Sequence, residues 1–330
     1  MQINSQSVLN QKLAQLRFQG DELADEVFSK TDFRVYEFLK TERDFHCASK
    51  YPQLENLIHD IEASYTRADK EKIHYAQQFF EKYASEISGI LGLYSLPYCY
   101  AGEAGAKILT QSKYLVENPE VRLRETGEFL FAVCRTGGFA EGGEGLFQIL
   151  RTRLMHAHIR KMSTTVEETA VNLEDMLGTN LSFSLIVIRG LKKMGIYPRD
   201  TEVSAYLYLW KCIGQMLGIP FSLLPQEGKE ASILERSIRK RQFRENEDGK
   251  KLTDSLVTYY RGNPFFKNIE VEEVIAEFVG KEVAPMIGLK LKPGLTRFSL
   301  DALRLKNFFT NFSRRNFEKE MKRMERLATS

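Results

Sequence analysis

His156 is the residue whose surroundings most suggest chemistry. It stands in the apolar stretch 154–157, and at helical spacing Arg153 and Arg160 share its face. A buried imidazole beside two cations suits haem, because the iron takes a neutral imidazole and the propionates pair with arginine. The alternative is a core histidine bonded to a backbone carbonyl, with both arginines paired to local glutamates, and spacing alone favours it. The sequence has no Cys-X-X-Cys-His, so any haem would be bound without covalent attachment.

A second set of polar residues could act on a substrate. Arg122 and Thr126 are four residues apart and face the same side of a helix, where they could order a polar substrate atom or dioxygen. The alternative, which spacing alone favours, is a surface arginine beside a threonine in the helix interior. Thr179 and Asn180 interrupt an apolar run; they could line a pocket or bond back to the preceding turn.

Other kinds of site have little support in the sequence. His156 and His158 are two residues apart and point in different directions on a helix, so they do not share a zinc ion easily. The sequence contains no H-E-x-x-H, Walker or G-x-S-x-G motif. Its four cysteines lack the close spacing of a zinc site or a disulfide framework, and they are Cys47, Cys99, Cys134 and Cys212.

The composition narrows the class of protein. The chain has 330 residues, of which 43% are hydrophobic and 28% charged, which argues against disorder. The formal net charge of +3 is too small and too mixed to indicate nucleic-acid binding, and we expect none. The longest uncharged stretch, 87–102, is too short for a spanning helix, and the N-terminus shows no apolar secretion signal. We therefore expect a cytoplasmic protein.

The elements that must position these residues are helices. Apolar residues recur at helical spacing, and no stretch alternates long enough for a sheet, so we predict an all-α protein. Asn118-Pro119-Glu120 is typical of a helix start, and Gly137-Gly138 of a stop. The helices predicted further on cover 146–162, 172–194, 200–217, 229–246, 250–261 and 271–279. We expect the polar stretch 172–175 to cap the second of these helices.

The last predicted helix, within residues 299–328, is basic and aromatic. Its phenylalanines could lie on a membrane surface or pack on the body of the protein, and packing is the commoner outcome; they are Phe308, Phe309, Phe312 and Phe317.

Over roughly residues 18–262 the chain resembles the latex-clearing protein (rubber oxygenase) and MpaB-type oxygenase family. The stretch 20–25 is similar to the family's G-D-P-L-A-D, with Glu22 in place of proline. The later matching stretches, in order, are 122–126 (R-x-x-K-T), 153–160 (R-x-M-H-A-x-x-R), 172–179 (N-Q-E-D-x-x-x-T) and the helix YLYLWKCIGQMLGI. No single motif is decisive, but their order and separation together are fairly specific.

The resemblance implies a helical bundle with a globin-like core around a b-type haem. By this resemblance His156 is the proximal iron ligand, and Arg122 and Thr126 lie in the distal pocket. Arg153 and Arg160 are then expected at the cofactor, with Thr179 a weaker candidate. The domain division that follows is a helical haem-binding, oxygenase-like domain over 1–264 and a C-terminal helical extension over 265–330.

The family's activity is the oxidative cleavage of carbon–carbon double bonds in isoprenoid chains with dioxygen as co-substrate. Here Glu125 stands where the latex-clearing enzymes carry lysine; it could accept a proton or only solvate the mouth of the pocket. The resemblance thus implies a haem-dependent oxygenase with a hydrophobic substrate, an isoprenoid or another unsaturated lipid. Two alternatives stay open: a non-catalytic haem sensor or carrier, and a haem-free helical module for interactions or a membrane surface.

Overall fold

The computed structural model describes residues 6–30, 33–42, 44–46, 50–163, 167–267 and 269–291. Within these ranges the regular elements are helices, and the β contact found there is one isolated bridge between Gly102 and Phe243. The prediction of an all-α fold is therefore confirmed. The predicted basic helix within 299–328 lies outside the described residues.

The first half of the chain consists of short helices and one π-helix. These helices are α1 (Gln6–Leu16), α2 (Glu22–Lys30), α3 (Val35–Thr41), α4 (Glu55–Thr66), α5 (Lys70–Lys82), α6 (Ala84–Ile90), the π-helix Leu91–Ser95, α7 (Leu96–Tyr100), α8 (Glu103–Thr110) and α9 (Lys113–Glu117). The longer helices follow, and they are α10 (Pro119–Cys134), α11 (Gly145–Met162), α12 (Leu173–Phe183), α13 (Leu185–Lys193), α14 (Asp200–Met216), α15 (Gly228–Gln242), α16 (Glu247–Gly262) and α17 (Val271–Val279).

Buried apolar side chains form two clusters. The larger cluster runs through the centre of the molecule and includes Tyr206 and Trp210 of α14. The smaller one joins α1, α12 and α15 through Leu13, Leu177 and Leu234. α14 also packs on α12 and α15, so it links the two clusters.

The described part of the C-terminal extension packs on the body. Val274 and Ile275 of α17 are almost fully buried in the larger cluster. Phe278 stacks on Tyr94 of the π-helix, with ring centroids 5.5 Å apart. Residues on both sides of position 264 thus share one apolar core.

Two predicted helices differ in the structure. The single helix expected over 172–194 is divided at Ser184, where φ is −107° and ψ −78°, away from the usual helical values. Its hydroxyl and its amide both donate to the carbonyl of Asn180, at 2.8 and 3.1 Å. The break expected at Asp248-Gly249 lies earlier, because Asn246 caps α16 by accepting from the amide of Gly249 at 2.6 Å. Glycine fits inside that helix because a Cβ there would lie 2.3 Å from the carbonyl oxygen of Tyr100.

α10 and α11 are packed neighbours that run in opposite directions. The turn between them is made possible by Gly137 and Gly142, whose φ angles are +77° and +73°. It is closed by the Gly145 amide, which donates to the carbonyl of Gly138 at 2.7 Å. α11 also contacts α2, α3 and α4, so the helix that carries His156 lies among four others.

A pair of glycine substitutions tests how tightly the helices are packed. In Gly190→Ala the new Cβ would lie 2.5 Å from Ile90 Cγ2, so we expect a loss of about 1–3 kcal/mol from overpacking. Gly127→Ala is the matched control on α10, because nothing lies within 4 Å of its added Cβ. Better helix propensity should stabilise that variant by about 0.5–1 kcal/mol. Urea unfolding measures both, and equal effects would contradict the close packing of α13 on α6.

Candidate functional site

His156 lies on α11 with its ring partly buried. The Nδ1 atom is fully buried and has no hydrogen-bond partner among the described residues. Burial, helped by the nearby Arg160 cation, lowers the pKa of His156 to about 4, although Asp21 acts in the opposite direction. The imidazole is therefore neutral at pH 7, which is the form that binds a metal.

Arg153 is bound by the protein's own acceptors. Its side chain is 1% exposed, and Nε and Nη2 donate to the two carboxylate oxygens of Asp21 at 2.7 and 2.8 Å. Nη1 donates to Asp60 at 2.7 Å and to the carbonyl of Met216 at 3.2 Å. Four of the five N–H groups of a guanidinium are thereby used. Arg153 is committed to joining α11 to α2, α4 and the end of α14.

Arg160 keeps one nitrogen, Nη2, unpartnered. Its Nε donates to Asp25 at 2.7 Å and its Nη1 to the carbonyl of Val171 at 3.2 Å. The remaining Nη2 is buried without a hydrogen-bond partner. Arg160 therefore brings an unused N–H group to the region of His156, one helical turn away.

The segment 20–25 is the counterpart of these arginines. Asp21 immediately precedes α2 and Asp25 lies in its first turn, and the two acids pair with Arg153 and Arg160, two turns apart on α11. Close approach requires glycine at Gly20, where a Cβ would lie 2.8 Å from Arg160 Cδ. These ion pairs were not predicted from the sequence, where the motif supported only the family resemblance. The pattern of two acids and two arginines was the signal that could have indicated them.

A second ion-pair network surrounds the start of α12. Asn172 caps the helix by accepting from the amide of Asp175 at 3.0 Å, which confirms the predicted cap. Glu174 is fully buried and accepts from Arg241 and from Gln242, each at 2.8 Å. Asp175 accepts from Arg17 at 3.0 Å. These acids of the resemblance motif bind the protein's own side chains.

The two polar residues predicted within this helix have different surroundings. Thr179 is exposed on α12. Asn180 is buried and donates to the carbonyl of Trp210 at 2.8 Å, so its amide joins α12 to α14.

The predicted distal residues all lie on α10. The Arg122 guanidinium carbon is 5.0 Å from the centre of the Tyr100 ring, and Thr126 is partly buried. Glu125 is exposed, with a carboxylate oxygen 3.5 Å from Arg151 Nη2. That contact joins α10 to α11.

Donor chemistry limits which cofactor this region could take. Among the described residues no three His, Cys, Asp or Glu side chains come together to hold a metal ion. A single neutral histidine with a free donor nearby suits a cofactor that brings most of the metal's ligands itself, as haem does.

The described helices also include none that is long and apolar enough to cross a membrane.

The buried ion pair on α11 should be costly to break. In Asp21→Asn the Arg153 cation stays buried and loses its bidentate carboxylate partner, while Asp60 still binds Nη1. We therefore expect a loss of up to about 3–5 kcal/mol in unfolding free energy. Glu26→Gln is the control on the same helix, since its pair with Lys30 is exposed and contributes about 0.3–0.5 kcal/mol. Urea unfolding compares the two, and similar losses would argue against the role of Asp21.

The neutral state of His156 predicts a pH dependence in protein prepared without a cofactor. The unfolded chain binds a proton near the ordinary pKa of 6.5, whereas the folded chain resists it down to about 4. Stability should therefore fall as the pH drops through this window, by up to about 3 kcal/mol from this residue. Thermal unfolding between pH 7 and 4 measures the slope. His156→Gln should flatten it, and an unchanged slope would contradict the assignment.

Known proteins resemble this chain in sequence and in fold. The sequence profile described as "ER-bound oxygenase mpaB/B'/Rubber oxygenase, catalytic domain" matches residues 89–305. A rubber oxygenase from Streptomyces sp. (strain K30) is 20% identical over 240 residues, which cover 70% of this chain and 59% of that protein. The chain thus spans less than two thirds of this relative.

A solved structure of latex clearing protein LCP in the closed state shares the fold. Its TM-score is 0.63 at 20% identity, with 72% of this chain and 67% of that one covered. The all-α architecture is therefore similar to that of LCP. Because the profile spans most of the chain, and includes His156 and all of α10, this protein belongs to the mpaB/B' and rubber oxygenase catalytic-domain family.

Proposed function

We propose that the protein is a haem b-dependent oxygenase that uses dioxygen to cleave a carbon–carbon double bond in an isoprenoid or another unsaturated, lipid-like substrate. The observation that carries the proposal is the state of His156, a neutral imidazole whose buried Nδ1 has no hydrogen-bond partner. It lies on α11, within the residues that match the oxygenase family, and one relative of the chain is a rubber oxygenase. When bound, haem b would supply the iron that takes up dioxygen.

The residues present fit the predicted iron ligand, but they do not fit all of the haem contacts expected from the sequence. His156 would hold the iron. Arg160 has a free N–H for an anionic group, whereas Arg153 has four of its five N–H groups bound by the protein. The propionates would therefore depend on Arg160 and on residues not foreseen from the sequence. Thr179, exposed on α12, is the weakest member of the proposed haem surround.

On the proposed distal side, the polar groups would come from α10. Arg122 is a fixed positive charge that could orient a polar oxygen atom, and Thr126 could donate one hydrogen bond. Glu125 faces solvent beside Arg151, which supports a place at the mouth of the pocket rather than a role as proton acceptor.

The outward position of Glu125 also favours a second candidate, a haem-binding sensor or carrier without turnover. Incubation of the haem-loaded protein with dioxygen and a panel of unsaturated isoprenoids, with mass spectrometry of carbonyl products, separates the two functions. Cleavage products support the oxygenase, and their absence with every substrate supports the sensor.

Haem retention tests the assignment of His156. The wild-type protein supplied with haem should show a Soret band, and His156→Ala should lose it because the iron loses its protein ligand. His158→Ala is the control, because residues two apart on a helix point in different directions. The His158 ring packs beside Phe28 and Tyr36, with ring centres 5.8 and 5.1 Å away. Absorbance after gel filtration measures bound haem.

Two outcomes would contradict the assignment. One is a folded wild-type protein that takes up no haem. The other is equal haem content in the two histidine variants.

The cytoplasmic location stays a prediction. So does a peripheral membrane contact through residues 299–328. Liposome flotation of the whole chain and of a chain ending at Pro264 would test the contact, provided the shorter chain proves folded, since it also lacks the buried helix α17.

A further inference from the structure

Lys211 is a buried amine without a hydrogen-bond partner. It lies on α14 with 3% of its surface exposed, and its Nζ atom makes no hydrogen bond within the described part of the chain. The Nζ atom lies 4.0 Å from the ring centre of Phe221. A protonated lysine has three N–H donors, and a ring face satisfies them poorly compared with water or a carboxylate.

The surroundings make the charged form of the amine less favourable than it is in water. Burial lowers the pKa of Lys211, Glu230 and Cys212 oppose this, and the Lys72 cation adds a smaller lowering. Lys72 is close because its Nζ lies 4.8 Å over the ring of Tyr208, one turn before Lys211 on α14. A lysine that is desolvated and has a second cation nearby is the arrangement that activates amines toward carbonyl compounds.

Access to the amine depends on Phe221. That side chain is 43% exposed and lies in the short 3-10 turn Phe221–Leu223, outside the main helices. Rotation of an exposed ring is fast, so the ring can uncover Nζ without any movement of α14.

A surface depression of about 600 Å³ lies at the N-terminal end of α14, before Lys211 in the chain. Its lining belongs to α5 and α14 and consists of Lys72, Tyr75, Asp200, Thr201, Ser204 and Ala205. Thr201, Ser204, Tyr208 and Lys211 recur at intervals of three or four residues, so they share one face of the helix. A short carbon chain attached at Lys211 would have this face to lie on.

We propose that Lys211 is a reactive amine that forms imines with small aldehydes and ketones, with Phe221 as its cover. The Nζ lone pair attacks the carbonyl carbon and a C–N bond forms. The carbonyl oxygen then leaves as water with the two amine protons, and a C=N bond remains. The step needs no haem and no oxidant, so it is independent of the proposed oxygenase function.

The test is a labelling experiment on the full-length protein. Hexanal is added at pH 7 with sodium cyanoborohydride, which reduces any imine to a stable amine, and peptide mass spectrometry follows each lysine. Lys82 is the internal control: it is 54% exposed, and hydrogen bonds to Tyr83 and Glu202 raise its pKa. Lys211 should be labelled faster than Lys82, because its pKa is lowered while that of Lys82 is raised, and each pKa unit between them changes the share of neutral amine about tenfold.

Two variants sharpen the test. Phe221→Ala removes the cover, and labelling at position 211 should become several-fold faster. Lys211→Arg keeps a cation but cannot form an imine, so that peptide should stay unlabelled in a protein whose melting temperature shows that it is folded. Labelling of Lys211 at or below the rate of Lys82 in the wild-type protein overturns the proposal, whatever the result with Phe221→Ala.

Discussion

The buried pairing of Arg153 with Asp21 is the interaction on which the arrangement around α11 depends. Removing an arginine from water is costly, and the cost is offset only when the partner groups are well aligned. Here the alignment is bidentate, and Asp60 and the carbonyl of Met216 bind the remaining Nη1. One side chain thus ties four helices together, and a glycine with φ +93° at position 218 leaves room for the Asp21 carboxylate.

This pairing changes how the region of His156 can work. With Arg153 occupied, the arginine nitrogen left unpartnered in this region is Nη2 of Arg160, whose side chain Asp25 holds in place through Nε. The same packing dehydrates His156 and keeps its imidazole neutral. The buried ion pairs and the neutral histidine therefore share one face of α11, and the packing around the ion pairs also buries the histidine.

The motif residues of this chain divide into two kinds. Glu174, Asp175 and Asp21 bind arginines of the protein itself and stabilise the packing of helices. His156 and Arg160 retain unpartnered polar atoms, and buried polar atoms normally have a partner, which can be a protein group, a water molecule, an ion or a ligand. Lys211 belongs to the second kind although no motif marks it, because its isolation results from packing against Phe221.

Local patterns were enough to predict the all-α class, the start of α10 at Pro119 and the cap at Asn172, because helix periodicity and caps depend on residues a few positions apart. The break at Ser184, the exposure of Thr179 and the partners of Arg153 could not be predicted in this way. They depend on which helices approach each other, and Asp21 lies 132 positions from Arg153 in the chain. The sequence by itself determined the helices and the candidate residues, while the tertiary structure alone decided which polar groups the protein pairs with its own side chains and which buried polar atoms it leaves without a partner.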